Sequence, residues 1–259
     1  MSLPSCPPLD LPEKELGYLW TLTGTIQATL TSHVKAVYLL GSASYGAYQP
    51  GTSDIDLAII VASSLPTTRY QSLATVINHA ALPCPARKLE LVVYTFDTVK
   101  NLTRFPKFEM NFNTGAGMQN HLVFDPAMEA GHWFLLDLAV GRELGVPLLG
   151  PAPKEVVGEI KREWVIDALS EGLKWWRENA GASPDAVLNA CRGWRWAKAG
   201  VWGSKLDGAQ WVLDQKNDSE VTSTVKIAVE SRSKGGVLEA PAALRMIDIV
   251  RTDILKTVH

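Results

Sequence analysis

Cysteine and histidine are scarce in this chain of 259 residues, and neither forms a metal-binding pattern. The cysteines, Cys6, Cys84 and Cys191, lack CxxC spacing, and their odd number argues against a disulfide framework. The 5 histidines form no HxxxH pair and no cluster with cysteine. These absences argue against a structural or catalytic zinc site.

Long hydrophobic runs and a surplus of positive charge are also missing. No apolar run approaches the roughly 18–20 residues that cross a bilayer, so we expect no membrane partner. The net charge of −2 argues against a nucleic-acid partner, since such proteins usually carry a basic excess. The first residues have neither a basic start nor an apolar core, so we expect no secretory signal and a cytoplasmic protein.

The first part of the sequence alternates between helical and strand patterns. Apolar residues recur at helical spacing over residues 13–32 and again over 67–79. Three short apolar runs, at residues 36–40, 54–61 and 88–94, are rich in β-branched and aliphatic residues and predict buried strands. This alternation favours an α/β domain with a mixed sheet and packed helices.

The pattern changes after a segment rich in glycine and proline at residues 148–153. Beyond it only helical patterns recur, over residues 154–177, 184–200, 207–215, 220–233 and 240–258. We therefore expect two domains: an α/β domain over residues 1–153, and an all-α helical bundle over residues 154–259.

Two aspartates at the start of the second strand pattern carry the clearest chemical signal. Asp54 and Asp56 are two residues apart, so in a strand they project from the same face, about 7 Å from each other. Two carboxylates on one face of an apolar strand repel each other and are costly to desolvate. A divalent cation removes that penalty, and oxygen ligands suit Mg²⁺.

Small residues at the end of the preceding strand pattern predict an anion site. The apolar run ends at Gly41 and Ser42, where backbone N–H groups can approach a triphosphate. Together with the aspartates, this turn predicts a site for a metal–nucleotide complex. The alternative is that Asp54 belongs to a simple turn cap with Ser53, and that Asp56 lies on a solvent-exposed strand edge.

The segments GSASYG, from Gly41, and GTSDIDLAI, from Gly51, resemble the signature of the DNA polymerase β-like nucleotidyltransferases. A weaker similarity to the bacterial streptomycin/spectinomycin adenylyltransferases runs through nearly the whole chain. The resemblance implies an enzyme that uses ATP and Mg²⁺. It assigns the metal to Asp54 and Asp56, and the triphosphate to Gly41, Ser42 and Ser53.

A third carboxylate, Glu90, lies at the centre of the next strand pattern, KLELVVY. The resemblance implies that Glu90 completes the metal site and acts as the catalytic base that activates the acceptor hydroxyl. A general base must lie within hydrogen-bonding distance of that hydroxyl and be ionised at the working pH. The alternative is a strand-edge residue with its side chain in water.

The resemblance extends to two basic residues of the helical half. ACRGW, with Arg192, resembles the family's L-S-R-I-W, and Lys205 of GSK falls where the family has a second basic residue. In the family these cations grip the ATP phosphates as the helical domain closes over nucleotide and acceptor. The alternative for Arg192 is a surface ion pair. For Lys205 the sequence does not favour phosphate binding over a structural role.

The acceptor is the part of the function on which the sequence departs from the family. The resemblance implies that a monomer transfers AMP to a hydroxyl of a small molecule. The family's Trp is missing from residues 113–118, and only Asp185 remains of the acidic residues at the start of the Arg192 helix. Because aminoglycosides carry several ammonium groups, we expect streptomycin and spectinomycin to be poor acceptors. Two alternatives remain: a protein hydroxyl as acceptor, and a non-catalytic nucleotide-binding protein.

Overall fold

The computed structural model describes residues 9–234 and 238–258. The chain divides into two compact units, residues 1–159 and 160–259. The first unit combines a sheet with helices, and the second is helical throughout its described residues. The predicted fold class, an α/β part followed by an all-α part, is confirmed. The division lies near the domain boundary that the sequence predicts after residue 153.

The first unit is built on one mixed sheet of six strands with the order β5-β4-β3-β2-β1-β6. The strands are β1 (Val34–Leu40), β2 (Ile55–Val61), β3 (Leu89–Thr95), β4 (Met110–Thr114), β5 (His121–Val123) and β6 (Val146–Leu149). Strands β2 and β3 are parallel, and the other neighbouring pairs are antiparallel. The three strands expected from the sequence are therefore the central ones.

Helices cover both faces of this sheet. They are α1 (Glu13–Leu30), α2 (Gly41–Ser44), α3 (Thr67–Ile77), α4 (Phe96–Lys100), α5 (His132–Leu144) and α6 (Pro153–Val156). Leu57 and Ile59 belong to the main core, together with side chains of α1 and α3. Successive strand residues point to opposite faces. Asp56 and Ala58 therefore project from the other face.

Helix α5 packs on that other face, at the end of β1. Its Gly141 lies so close to Leu40 that an added Cβ would be 2.7 Å from the leucine Cδ2. Leu40 pairs with Asp56 across the antiparallel β1–β2 register. Asp137 is four residues before Gly141, so the two residues share a face of α5. Asp137 therefore lies on the side of the helix that faces Leu40 and Asp56.

The second unit contains five helices among its described residues: α7 (Arg162–Ala180), α8 (Pro184–Ala199), α9 (Lys205–Asp214), α10 (Ser219–Lys234) and α11 (Ala240–Leu255). Helix α8 packs against each of the other four. It meets α9 at Gly208, where an added Cβ would be 2.5 Å from the backbone nitrogen of Arg192. The glycine therefore allows the two helix backbones to touch beside Arg192.

Within residues 9–234 and 238–258, no helix is both long enough and apolar enough to cross a membrane.

Candidate active site

The turn after β1 is built around Gly41. This residue has a φ of 60°, in the left-handed region that favours glycine. A Cβ at this position would also collide with the carboxyl group of Asp56. The turn continues as the short helix α2, in which the side chain of Ser42 is only partly buried. The sequence pattern Gly-Ser therefore places a small, open turn directly against an aspartate.

Asp56 and Glu90 are direct register partners on the parallel strands β2 and β3. Their carboxyl groups are in hydrogen-bonding contact, and the pKa of Asp56 is raised well above its usual value. Burial is the largest cause, followed by the negative charges of Glu90, Asp137 and Asp54. The ionised form of Asp56 is therefore disfavoured until a positive charge compensates for it.

Asp54 lies just before β2, and its carboxylate faces two cations that lie just before β3. Arg87 donates two hydrogen bonds to it, Nε to Oδ1 at 2.8 Å and Nη2 to Oδ2 at 2.6 Å. Lys88 forms an ion pair with Glu90, and its Nζ is 3.8 Å from the Oδ2 of Asp54. Arg87 and Lys88 thus supply the positive charge that the carboxylates need in this structure.

The donor set fits Mg²⁺ in its chemistry. Asp54, Asp56 and Glu90 offer carboxylate oxygens alone. The pKa of Asp56 is raised by burial first and by neighbouring negative charge second, and a bound cation would offset both effects. Among the described residues, however, no three acidic, histidine or cysteine side chains converge as a ready metal site. Asp54 and Glu90 face Arg87 and Lys88 instead. A metal ion held by these carboxylates would therefore have to displace the two cations.

Ser53 joins the turn that begins at Gln49 to the segment just before β3. Its side chain is buried, and its Oγ accepts a hydrogen bond of 3.0 Å from the backbone N–H of Gln49. Its carbonyl accepts one of 3.2 Å from the backbone N–H of Arg87. Ser53 therefore holds the turn in place before Asp54, and its own O–H remains a donor for a ligand.

The two predicted phosphate-binding cations belong to the second unit. Nζ of Lys205 is 2.7 Å from the Oδ1 of Asp185, an ion pair that joins the first turns of α9 and α8. Burial lowers the pKa of Lys205, and the positive charges of Arg192 and Arg232 lower it further, against the opposing effect of Asp185. Lys205 and Arg192 are therefore neighbours, as the contact at Gly208 requires.

Several residues of the site were missed by the sequence analysis. Lys88 is two residues from Glu90, so strand alternation was a signal that could have placed both on one face. Asn113 of β4 is the register partner of Glu90 on its other side. Asp137, whose charge acts on Asp56, comes from a distant helix and gave no local signal.

Family models match both parts of the chain. Residues 25–112 match a model described as a nucleotidyltransferase domain. Residues 155–233 match the C-terminal domain of aminoglycoside adenylyltransferases. The chain is therefore an enzyme of the nucleotidyltransferase class.

Curated relatives give the family. An aminoglycoside (3'') (9) adenylyltransferase of Klebsiella pneumoniae is 30% identical over 208 residues, which cover 75% of this chain and 76% of the relative. One from Rhizobium radiobacter is 32% identical over 175 residues, 62% of each chain. This chain belongs to the aminoglycoside adenylyltransferase family. The alternative of a non-catalytic nucleotide-binding protein is set aside.

A solved structure supports the fold. The spectinomycin adenyltransferase AAD(9) from Enterococcus faecialis, solved with ATP and spectinomycin, superimposes with a TM-score of 0.69. The match covers 93% of this chain and 99% of that chain, at 15% identity. At this identity the likeness shows the shared fold alone.

Proposed function

We propose that the enzyme transfers AMP from MgATP to a hydroxyl of a small molecule. The acceptor oxygen forms a bond to the α-phosphorus, the bond from that phosphorus to the bridging oxygen breaks, and pyrophosphate leaves with the electron pair. The observation that carries this proposal is the register pairing of Asp56 with Glu90, beside the glycine turn and Asp54. Relatives at 30% identity that are adenylyltransferases support it.

Glu90 is the proposed base, and it would take the acceptor proton on a carboxylate oxygen. Its position on the face shared with Asp56 brings it next to the proposed metal ligands. Asp54, Asp56 and Glu90 would hold Mg²⁺, which stabilises the attacking and leaving oxygens when bound. The ion pair between Glu90 and Lys88 would have to break before Glu90 binds a metal ion or accepts a proton.

Two groups of residues are proposed to hold the nucleotide. Gly41 leaves room for a close approach, and the hydroxyls of Ser42 and Ser53 would donate to phosphate oxygens. Arg192 would supply paired donors and Lys205 a point charge for the leaving pyrophosphate. The adenylyltransferase relatives at 30% identity support ATP as the nucleotide.

The acceptor differs in our proposal from streptomycin and spectinomycin. A polycationic drug needs carboxylates to pair with its ammonium groups. Asp185, the one acidic residue kept at the start of α8, is already paired with Lys205. Glu90 is paired with Lys88. Asp185 and Glu90 are thus neutralised by lysines of the protein itself, which supports an acceptor with less positive charge.

One experiment tests both parts of this proposal. The purified protein is incubated with each MgNTP and a panel of aminocyclitols and other polyols, and pyrophosphate release and product mass are measured. We expect ATP-dependent adenylylation of a panel member and none by Asp54→Asn. Modification of streptomycin or spectinomycin at about 10⁴ M⁻¹s⁻¹ or more, the range of ordinary enzymes, would contradict the acceptor proposal. A product formed equally well by Asp54→Asn would contradict the site.

A further inference from the structure

A third cation of the second unit, Arg232, lies in the electrostatic neighbourhood of Lys205. It belongs to α10, which packs against both α8 and α9. Its charge acts on Lys205 in the same direction as that of Arg192. Helix packing and electrostatics therefore bring Arg192 and Arg232, from two different helices, into the neighbourhood of Lys205 on a third.

The three residues Arg192, Lys205 and Arg232 are called the cation cluster below. Asp185 forms an ion pair with Lys205. Among residues 9–234 and 238–258, neither arginine forms an ion pair with an acidic side chain. In addition, the Nε of Arg232 is buried and has no hydrogen-bond partner there. A buried charged donor without a partner is costly, and a ligand that accepts from it removes the cost.

The backbone adds positive potential at the same place. Lys205 is the first residue of α9, where the helix dipole is positive and a lysine is unfavourable. Ser204 and Asp207 close this helix end with a capping box, through Asp207 N–H to Ser204 Oγ at 3.0 Å and Ser204 N–H to Asp207 Oδ2 at 2.8 Å. Lys205 therefore lies at a positive helix end and near two further cations, an arrangement that favours binding of a multivalent anion.

From these contacts we infer that Arg232 is the third cation of a polyphosphate-binding site formed with Arg192 and Lys205. The inference rests on the proposed role of those two residues in holding the nucleotide, and it adds a donor that neither the sequence signature nor the family resemblance assigned. Arg232 would donate Nε–H and an Nη–H to phosphate oxygens in the bidentate arrangement that guanidinium groups favour.

The test measures binding of inorganic tripolyphosphate to the full-length protein by titration calorimetry without metal, so that neither the carboxylates nor turnover contributes. We expect Arg232→Ala to weaken binding about tenfold or more, as losing a hydrogen bond to a charged group does. Arg232→Gln, which keeps most of the side-chain length but not the charge, should also bind weakly. Arg232→Lys should restore part of the affinity.

Lys226→Ala is the matched control, because it removes one positive charge from an exposed position on the same helix. It should bind tripolyphosphate within about twofold of the wild type.

Wild-type affinity in both Arg232→Ala and Arg232→Gln would overturn the inference, as would an equal loss in Lys226→Ala. If Arg192→Ala alone loses affinity, the proposed nucleotide site stands and the role of Arg232 falls. If tripolyphosphate binding depends on Arg232 but no nucleotide is turned over, the inference stands and the proposed function falls.

Discussion

Replacing Asp56 by asparagine should stabilise the metal-free protein while abolishing turnover. The carboxyl group of Asp56 is buried, which is the largest cause of its raised pKa, and it is also opposed by the charges of Glu90, Asp137 and Asp54. Asparagine has nearly the same shape and carries no charge. It therefore removes the repulsion together with a proposed metal ligand, and stability and activity should change in opposite directions.

The direction of the stabilisation follows from the raised pKa of Asp56, and its size is estimated from the repulsion between neighbouring charges. A tenfold change in a protonation equilibrium corresponds to about 1.4 kcal/mol, and two charges about 4 Å apart repel by about 4 kcal/mol at an effective dielectric constant of 20. The ion pair of Lys88 with Glu90 offsets part of this repulsion. We expect a gain on the order of 1–3 kcal/mol, which raises the melting temperature by roughly 2–4 °C per kcal/mol in a chain of this size.

The sign of the pH dependence is fixed by the direction in which the pKa of Asp56 moves on folding. The folded-state pKa lies above the unfolded value, so the folded state binds the proton more tightly. The destabilisation is therefore absent below the unfolded pKa, near 3.9, and grows as the pH rises through the folded pKa. The stabilising effect of Asp56→Asn should be larger at pH 8 than at pH 5.

Thermal melts in EDTA at both pH values measure this effect. Asp10→Asn, which removes a negative charge from an exposed position of the same unit, is the control and should leave the melting temperature nearly unchanged. Added Mg²⁺ should raise the melting temperature of the wild type more than that of Asp56→Asn. A variant that melts below the wild type in EDTA at pH 8 would refute the argument from repulsion.

Three further predictions concern the other residues of the site. Glu90→Gln should lower kcat by about 10²–10⁴ in a pyrophosphate-release assay, as loss of a general base does, and a higher KM with unchanged kcat would contradict that role. Lys88→Ala should tighten Mg²⁺ binding in calorimetry, because it removes the cation that competes for Glu90; weaker binding would contradict this competition. Saturating MgATP should stabilise the protein by about 2.7 kcal/mol at a hundredfold excess over Kd, and an equal stabilisation of Arg192→Ala would exclude Arg192 from the nucleotide site.

The arrangement of the first unit could be read from the sequence where the signal was local. The short runs of β-branched and aliphatic residues around Asp56 and Glu90 predicted two strands with carboxylates on them. Gly41 marked the turn because few other residues adopt its backbone conformation, and none fits against Asp56. Both signals depend on neighbouring residues alone, so a single sequence contains them.

Features that depend on distant segments could not be predicted in this way. The helical pattern over residues 154–177 predicted one helix, which is wrong: the structure has α6 and α7, with a break between them. The break follows from Gly158, which packs against the backbone of Lys100 and donates a hydrogen bond of 2.8 Å to the carbonyl of Val99. The ion pairs of Arg87 and Lys88 likewise depend on how β2 and β3 pair.

The charges of the two units have opposite signs and are balanced in different ways. In the first unit, carboxylates collect at the ends of β2 and β3, and Arg87 and Lys88 neutralise part of their charge. In the second unit, the cluster of Arg192, Lys205 and Arg232 collects positive charge around Asp185. A divalent cation would complement the carboxylates of the first unit, and a polyphosphate would complement the cluster of the second unit. Because partly buried charges are screened less than exposed ones, binding of MgATP should retain part of its affinity at high salt, whereas association through surface charge alone would lose it.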